Sequence, residues 1–313
     1  MVALLVALGV TLVATPLVRR AAVEADLLDE PGGRKIHVRA VPRLGGAAML
    51  GAFGLAVATA LLAAALAGVD LAALANGALV PALVGIAIIG VVGLVDDVRD
   101  LSPIVKLMGQ VAAAVAVVVL GLSFSEVSTP WGGLSLGIMG PVITVGWLVA
   151  VANAVNLIDG LDGLAGGVSL ACLAAFGAMA TALDVPAVLL LTAAGSGAVL
   201  GFLVFNRPPA SIIMGDAGSM FLGMLLGISA VALVVARPDH IAIPTAVVVL
   251  GVPLADMTWA ILRRLASGKS VFAADSSHIH HQLIGRGLGH GQVTLALVAA
   301  AAVLALIGFL LSR

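Results

Sequence analysis

Charged side chains are scarce in this sequence. Asp, Glu, Lys and Arg make up 10% of the 313 residues, whereas hydrophobic residues make up 62%. Soluble domains carry about 25% charged residues, so this composition excludes an ordinary soluble protein. The mean hydropathy of +1.23 leads to the same conclusion.

Cysteine is nearly absent too, since Cys172 is the single thiol. One cysteine cannot form an intrachain disulfide, and it rules out metal sites built from paired cysteines. The net charge of −1 says little about partners, and we expect no nucleic acid among them.

Long hydrophobic runs are what the sequence has instead. A helix needs about 20 apolar residues to cross a bilayer, and such runs must be helical because every backbone group in lipid has to bond internally. We therefore predict an all-α polytopic integral membrane protein, with a single domain over 1–313 and about ten transmembrane helices. The predicted spans are 2–18, 45–67, 78–95, 104–122, 138–155, 164–183, 186–205, 217–236, 241–262 and 293–311. Two arginines follow the first run rather than precede it, which favours a retained span over a cleaved signal peptide.

Positive charge divides the predicted loops into two sets. Of the 15 Lys and Arg residues, all but Arg237 and Arg313 lie in or beside one set, which contains the larger loops 19–44 and 263–292. Because Lys and Arg mark the cytoplasmic side, we predict that this set is cytoplasmic and that both termini lie outside the inner (plasma) membrane. Most Asp and His residues fall on the same side, so we place the active site there. A transporter with an acidic cytoplasmic vestibule is the alternative, but transporters place polar groups at mid-depth, which only Asp256 approaches.

Two motifs supply carboxylates at this side. "DDVRD" (96–100) ends the third predicted span with Asp96 and Asp97, which can bind a hard cation, or divide cation binding and proton acceptance between them. A solvated helix end is the alternative. "GDAG" (215–218) places Asp216 between small residues at the start of a span, where a ligand can approach and the helix dipole favours an anion. An N-cap aspartate would have the same pattern.

A third motif, "NAVNLIDGLDG" (153–163), carries four polar residues at steps of three: Asn153, Asn156, Asp159 and Asp162. Residues three apart are neighbours on a helix, and the two glycines predict that the helix loosens here. Polar groups within a membrane are costly, so we interpret this motif as part of a site.

Histidines crowd into a fourth motif, "HIHHQL" (278–283), which contains His278, His280 and His281. A zinc site is one interpretation, but no Cys or Glu lies at a typical spacing. Nearby basic residues such as Arg286 suit an anionic ligand better, and surface histidines without a role are the third alternative.

The four motifs together indicate phosphate chemistry. Carboxylates hold Mg²⁺ through one or two ligands while phosphates and water complete its shell, and basic groups hold the remaining phosphate oxygens. We therefore predict transfer of a phosphoryl-type group. The position at a membrane interface indicates that one substrate is a lipid.

The motif set resembles that of a known family. "DDVRDLSP", "NAVNLIDGLDGLAGG", "FNRPPASIIMGDAGSM", "PLADM" and "HIHH" occur in the same order as in the polyprenyl-phosphate N-acetylhexosamine-1-phosphate transferases of glycosyltransferase family 4, and "PGGRKIHVRAVPRLGG" (31–46) resembles their first cytoplasmic loop. The nearest branch is the WecA/TagO type. The sister branch, the phospho-N-acetylmuramoyl-pentapeptide transferases of peptidoglycan synthesis, typically has three consecutive histidines followed by an acid. Here Ile279 interrupts the histidines and Gln282 follows them.

The resemblance implies a reaction. A UDP-N-acetylhexosamine, foremost UDP-N-acetylglucosamine, would give its sugar-1-phosphate to undecaprenyl phosphate or another polyprenyl phosphate in the lipid bilayer, with Mg²⁺ (alternatively Mn²⁺) as cofactor. UMP would be released, and the product would start a cell-surface glycan. A homodimer is left open.

The resemblance also implies roles for individual residues. Asp216 and Asn156 would be metal ligands. Asp96 would activate the lipid phosphate, and the catalytic group would also include Asp97, Asp159 and His280. Substrate would be bound by Lys106, Asn153, Asp162, Asn206, His278, His281 and Arg286.

Three positions depart from the family pattern. Ile213 stands where relatives often have a Phe that can stack on uracil, and Ser276 and Gln282 stand where many have Arg. Two outcomes follow for the diphosphate: either it is bound more weakly here, or Arg286 or Arg264 substitutes. A catalytically weakened homologue that serves as a scaffold is the alternative.

Overall fold

Helices make up most of the protein in the computed structural model, which describes residues 1–29, 40–75, 77–129, 132–238, 240–268 and 278–313. The helices are α1 (Val2–Glu24), α2 (Gly45–Leu66), α3 (Leu71–Ala75), α4 (Leu79–Arg99), α5 (Pro103–Val119), α6 (Met139–Ile158), α7 (Leu164–Ala182), α8 (Pro186–Asn206), α9 (Gly215–Ala236), α10 (Ile243–Val249), α11 (Gly251–Ala266), α12 (Ile279–Gly285) and α13 (His290–Leu311). The strands are β1 (Leu28–Asp29), β2 (Val41–Pro42), β3 (Glu126–Thr129) and β4 (Gly132–Ser135), which form two antiparallel pairs.

The prediction of an all-α polytopic membrane protein is confirmed. Within the described ranges, eight helices are long and apolar enough to cross a membrane, and the bent pair α10–α11 makes a ninth if it counts as one span. The predicted span 104–122 corresponds to α5, which has 17 residues. At 1.5 Å per residue this helix is about 26 Å long, slightly less than the roughly 30 Å hydrocarbon core.

The predicted span 241–262 is interrupted, and the interruption has a chemical cause. Pro253 lacks the N–H that a regular helix would donate to the carbonyl of Val249, four residues earlier. The thiol of Cys172 in α7 donates to that carbonyl instead, with 3.2 Å between Sγ and oxygen. The two helices are bent by 90° at this point, and α11 packs against α6 and α13.

Helix α9 forms the centre of the bundle. In its most apolar 18-residue window 89% of the residues are buried, against 22% in α1. It packs against α2, α4, α6, α7 and α8. Gly93 permits the close approach of α4, because a Cβ at this position would lie 2.7 Å from the backbone nitrogen of Ala217. The end of α4 is therefore held against the start of α9.

Short backbone contacts join the segment before α2 to the segment before α9. Ile213 donates its N–H to the carbonyl of Pro42 at 3.0 Å, and Gly45 donates to the carbonyl of Ile213 at 3.0 Å. Both segments lie where α4, α6 and α8 end and where α2, α7 and α9 begin, and we call this side the site face. The remaining parts of the predicted loops 19–44 and 263–292, including Ser276, lie outside the described residues.

Candidate active site

Three carboxylates meet on the site face. Asp96 and Asp97 stand in the last turn of α4 and are each 4% exposed, and Asp216 stands in the first turn of α9. One oxygen from each lies within 4.8 Å of the others. The sequence predicted all three as site residues, and the structure brings residues 119 positions apart into one cluster.

Asp97 fixes the start of α9. Its Oδ1 accepts the backbone N–H of Asp216 at 2.8 Å, and its Oδ2 accepts that of Ala217 at 3.2 Å. The first N–H groups of a helix have no partner within the helix, so this carboxylate satisfies two of them from another helix. Gly215 leaves the space for it, since a Cβ there would lie 2.6 Å from Oδ2 of Asp97 and the φ of +69° is one that glycine tolerates.

Lys106 bridges the other two carboxylates. Its Nζ lies 2.7 Å from Oδ2 of Asp96 and 2.6 Å from Oδ2 of Asp216. The second oxygen of Asp96 accepts the N–H of Leu101 at 2.8 Å. One ammonium group therefore links two of three carboxylates, and the cluster keeps an excess of negative charge.

Amide side chains of α6 line the cluster. Asn156 donates to Oδ1 of Asp216 at 3.1 Å and to the hydroxyl of Ser219 at 2.9 Å. One turn earlier, Asn153 exchanges hydrogen bonds with Gln110 of α5. The predicted Asn156 thus contacts the predicted metal ligand Asp216, and its own metal ligation stays a prediction. Sequence reasoning missed Gln110 and Ser219, which become visible only as partners of these two amides.

The loop between α6 and α7 contains Asp159 and Asp162. Hydrogen bonds between side chains and backbone groups join this loop to the loop after α8. Asp162 accepts the backbone N–H of Ala210 at 2.9 Å. Asn206, 4% exposed, accepts the N–H of Gly163 and donates to the carbonyl of Ile212, both at 2.9 Å. These contacts hold the two loops together, and direct substrate contacts by Asp162 and Asn206 stay predictions.

Asp159 follows the last residue of α6 and is half-buried. Burial raises the pKa of its carboxyl group well above the usual value, and the negative charges of Asp216 and Asp97 raise it further. A carboxyl group in this environment keeps its proton to a higher pH. Asp159 can therefore donate a hydrogen bond as a neutral carboxylic acid more readily than an ordinary aspartate.

The histidines of α12 reach the same loop. His280 is 1% exposed, and its ring lies against Gly160, where a Cβ would be 2.9 Å from Cε1. The ring is stacked on His278, with centroids 5.9 Å apart, and contacts His281 at 4.3 Å. Burial, together with the charge of His281, lowers the pKa of His280 to about 4. Its buried Nδ1 has no hydrogen-bond partner among the described residues, so a polar atom is available there for a ligand.

Two side-chain pairs flank the site and were not predicted. Oδ2 of Asp256 in α11 lies 2.8 Å from Nδ1 of His278, which makes this aspartate a partner of the histidine motif rather than an isolated mid-membrane polar residue. Arg43 pairs with Asp100 at 2.8 Å; the hydrogen bond with Asp100 raises the pKa of this guanidinium group, and Asp97 adds to the effect. The predicted Arg286 is exposed at the C-terminal end of α12.

These features define a class: a polytopic membrane protein with a carboxylate, lysine and histidine site gathered at one end of its helices. Comparison with known proteins then places the chain. Residues 79–234 match the family described as Glycosyl transferase family 4. The chain is 36% identical, over 99% of its length and 82% of the relative, to the probable undecaprenyl-phosphate N-acetylglucosaminyl 1-phosphate transferase of Bacillus subtilis (strain 168).

Two further relatives agree with this match. The decaprenyl-phosphate N-acetylglucosaminephosphotransferase of Mycobacterium leprae is 34% identical, over 91% of this chain and 77% of the relative. The undecaprenyl-phosphate alpha-N-acetylglucosaminyl 1-phosphate transferase of Escherichia coli (strain K12) is 29% identical, over 93% and 78%. The chain belongs to the polyprenyl-phosphate N-acetylhexosamine-1-phosphate transferase family, which confirms the resemblance seen in the sequence.

Proposed function

We propose that this protein transfers N-acetylglucosamine-1-phosphate from UDP-N-acetylglucosamine to a polyprenyl phosphate, releases UMP, and so starts a lipid-linked cell-surface glycan. The observation that carries the proposal is the cluster of Asp96, Asp97 and Asp216, bridged by Lys106 at a membrane face. The activities after which the relatives are named favour this reaction over the phospho-N-acetylmuramoyl-pentapeptide transfer that the sequence left as an alternative.

The residues present fit a divalent cation. Carboxylate oxygens are the ligands that Mg²⁺ prefers, and the cluster carries more negative charge than Lys106 can neutralise. Asp216 and Asn156, which are hydrogen-bonded to each other, are the residues that would hold the ion. When bound, Mg²⁺ would neutralise phosphate oxygens of the donor; Mn²⁺ is the alternative.

The chemistry assigned to the protein begins with the acceptor. An oxygen of the lipid phosphate attacks the sugar-bearing phosphorus of the UDP-sugar, a new P–O bond forms, and the P–O bond to the uridine-bearing phosphate breaks. The bridging oxygen leaves with UMP. Asp96, held by Lys106 and by the N–H of Leu101, would take a proton from the lipid phosphate if it arrives protonated.

The remaining residues position the two phosphates. Lys106 would attract the lipid phosphate, and His280, neutral at pH 7 because its pKa is lowered to about 4, would meet the donor through a ring nitrogen. Asp97 would act by holding the start of α9, and through it Asp216, in place. Such preorganised contacts supply most of the catalysis in phosphoryl transfer.

We also propose that the protein lies in the plasma membrane with its site face in the cytoplasm and both termini outside. The positive-inside distribution of Lys and Arg supports this orientation. Alkaline phosphatase fused after Arg313 should be active, and a fluorescent protein that folds only in the cytoplasm should stay dark there. The opposite result would overturn the orientation. A homodimer stays a prediction for cross-linking to test.

The function is tested by UMP release from UDP-N-acetylglucosamine in membranes supplied with polyprenyl phosphate and Mg²⁺. Asp216→Asn should reduce the rate at least 100-fold, on the order of the loss of a main electrostatic group. Asp184→Asn is the matched control, because Asp184 is exposed at the opposite end of α8, and it should retain the wild-type rate. A chelator should abolish release and added Mg²⁺ should restore it. Substrate uptake into proteoliposomes without UMP release would favour the transporter alternative instead.

A further inference from the structure

Asp256 of α11 is a buried carboxylate with a partner at each of its two oxygens. Asp256 is 3% exposed. Its Oδ2 lies 2.8 Å from Nδ1 of His278, and its Oδ1 accepts the backbone N–H of Ile279 at 2.8 Å. The side chain of His278 is itself only 7% exposed.

We infer that Asp256 is a positioning residue that keeps the proton of His278 on Nδ1 and thereby leaves Nε2 as the ring atom that meets a substrate. An ionised carboxylate can only accept hydrogen bonds, so the nitrogen facing it must carry the hydrogen. The other ring nitrogen is then free to accept in the neutral ring, or to donate when the ring is charged.

The fold explains why this pair forms. Helix α11, which carries Asp256, is bent by 90° relative to α10. It packs against α6, the helix that carries Asn153 and Asn156. The N–H of Ile279, the first residue of α12, is one that a helix leaves unpaired. Asp256 therefore caps α12 from a different helix while it orients His278, which begins the histidine motif.

The arrangement extends from His278 to the loop of Asp159. The rings of His278 and His280 are nearly parallel, with 6° between their planes, and His280 lies against Gly160. A rotated His278 ring would no longer offer the flat surface on which His280 is stacked. One carboxylate thus fixes the orientation of two rings on the site face.

The first experiment measures the tautomer directly and needs no enzymatic activity. Protein with ¹⁵N-labelled histidine rings is examined by solid-state NMR, and His278 is assigned by its loss in His278→Ala. The wild type should show a protonated Nδ1 at His278. In Asp256→Asn, the amide can donate to Nδ1, and the proton should move to Nε2. A wild-type ring protonated on Nε2 alone would overturn the inference.

The second experiment rests on the proposed function and is a double-mutant cycle in UMP release. Asp256→Asn should lower kcat/KM for the UDP-sugar by about 10- to 100-fold, the usual loss when a group that orients a functional histidine is removed. In a His278→Ala background the same substitution should have almost no further effect. Equal losses in both backgrounds would mean that Asp256 only supports the fold, because independent effects are additive.

Two controls keep the outcomes separate. Thr245→Val, at a buried polar residue of α10, should leave kcat/KM within twofold of wild type. Asp256→Glu keeps the carboxylate and should retain the Nδ1 proton and more activity than Asp256→Asn. If the asparagine protein does not fold, the tautomer of His278 in the wild type still decides the inference. Failure of the wild type to release UMP would refute the proposed function, whereas the tautomer result would still decide the role of Asp256.

Discussion

Gly160→Ala tests the histidine side of the site with a single added methyl group. The structure places a Cβ at this position 2.9 Å from Cε1 of His280 and closer still to Nε2. Carbon atoms rest at about 3.5–4.0 Å from each other, so the ring must move by roughly 0.6–1.1 Å. Misplacement of a catalytic group by about 1 Å can cost on the order of 100-fold in rate, and we expect kcat to fall by about that factor.

The ring has little freedom to avoid the methyl group. His280 is 1% exposed and is packed between His278 and His281. The backbone is not the obstacle, because Gly160 is not among the residues with positive φ. The loss of backbone freedom in the unfolded chain stabilises such a variant by about 0.4–1 kcal/mol, which offsets part of the roughly 1–3 kcal/mol that overpacking costs. A folded variant with low activity is therefore the expected result.

UMP release and thermal unfolding are measured together for Gly160→Ala and for a matched control, Gly146→Ala. Gly146 lies in α6, the helix that precedes the loop of Gly160, and a Cβ there meets no atom within 4 Å. The control should keep wild-type activity. If Gly160→Ala also releases UMP within twofold of the wild-type rate while remaining folded, the position of His280 against Gly160 has no catalytic importance and the assignment of His280 is wrong.

Three further results are expected. Asp97→Ala should lower the free energy of unfolding by about 1–3 kcal/mol, because it leaves buried N–H groups at the start of α9 unpaired. Asp100→Asn, at a side chain 76% exposed and with a left-handed backbone that asparagine tolerates, should change it by less than about 1 kcal/mol; thermal unfolding compares them. Lys106→Met should abolish UMP release yet increase the rise in unfolding temperature on adding Mg²⁺, since the carboxylates lose their ammonium partner; an unchanged rise would refute this competition. Because the pKa of His280 is lowered from 6.5 to about 4, the unfolded chain takes up its proton first, and stability is lost as pH falls from 6.5 to 4. His280→Gln should show a smaller loss over that interval, and an equal loss would contradict the lowered pKa.

The sequence was sufficient for the elements whose signal is local. Hydrophobic runs predicted the membrane helices, and the position of Asp216 just before the run 217–236 correctly predicted a carboxylate at a helix start. The bend between α10 and α11 was not predicted, although Pro253 is visible in the sequence. Proline often interrupts a helix without ending a span, and the carbonyl that it leaves free at Val249 is satisfied by Cys172 from α7, which no local pattern shows.

The partners of the site residues were the part that local patterns could not give. Asp162 and Asn206 are polar and lie on the side of the membrane where a substrate contact is predicted. The structure shows that each also accepts a hydrogen bond from the backbone of a neighbouring loop. Arg43 and Asp100 are 57 positions apart, and Asp256 and His278 are 22 apart. Helix packing decides which basic side chain lies beside which acidic one. A single sequence therefore predicts the types of residue in the site but not which of them contact each other.

The position of the carboxylate cluster on α9 has its own physical logic. Carboxylates within 4.8 Å of each other repel, and the cost rises as water is excluded. Three features offset this cost: the ammonium group of Lys106, the N–H groups that donate hydrogen bonds to Asp97, and the positive end of the α9 dipole. All three act at the first turn of α9, the most buried of the membrane-spanning helices. A site on a peripheral helix such as α1 could relax by moving its charges apart. At the centre it cannot, because small residues such as Gly93 hold α4 against α9. Under the proposed function, a bound cation would relieve the repulsion that remains.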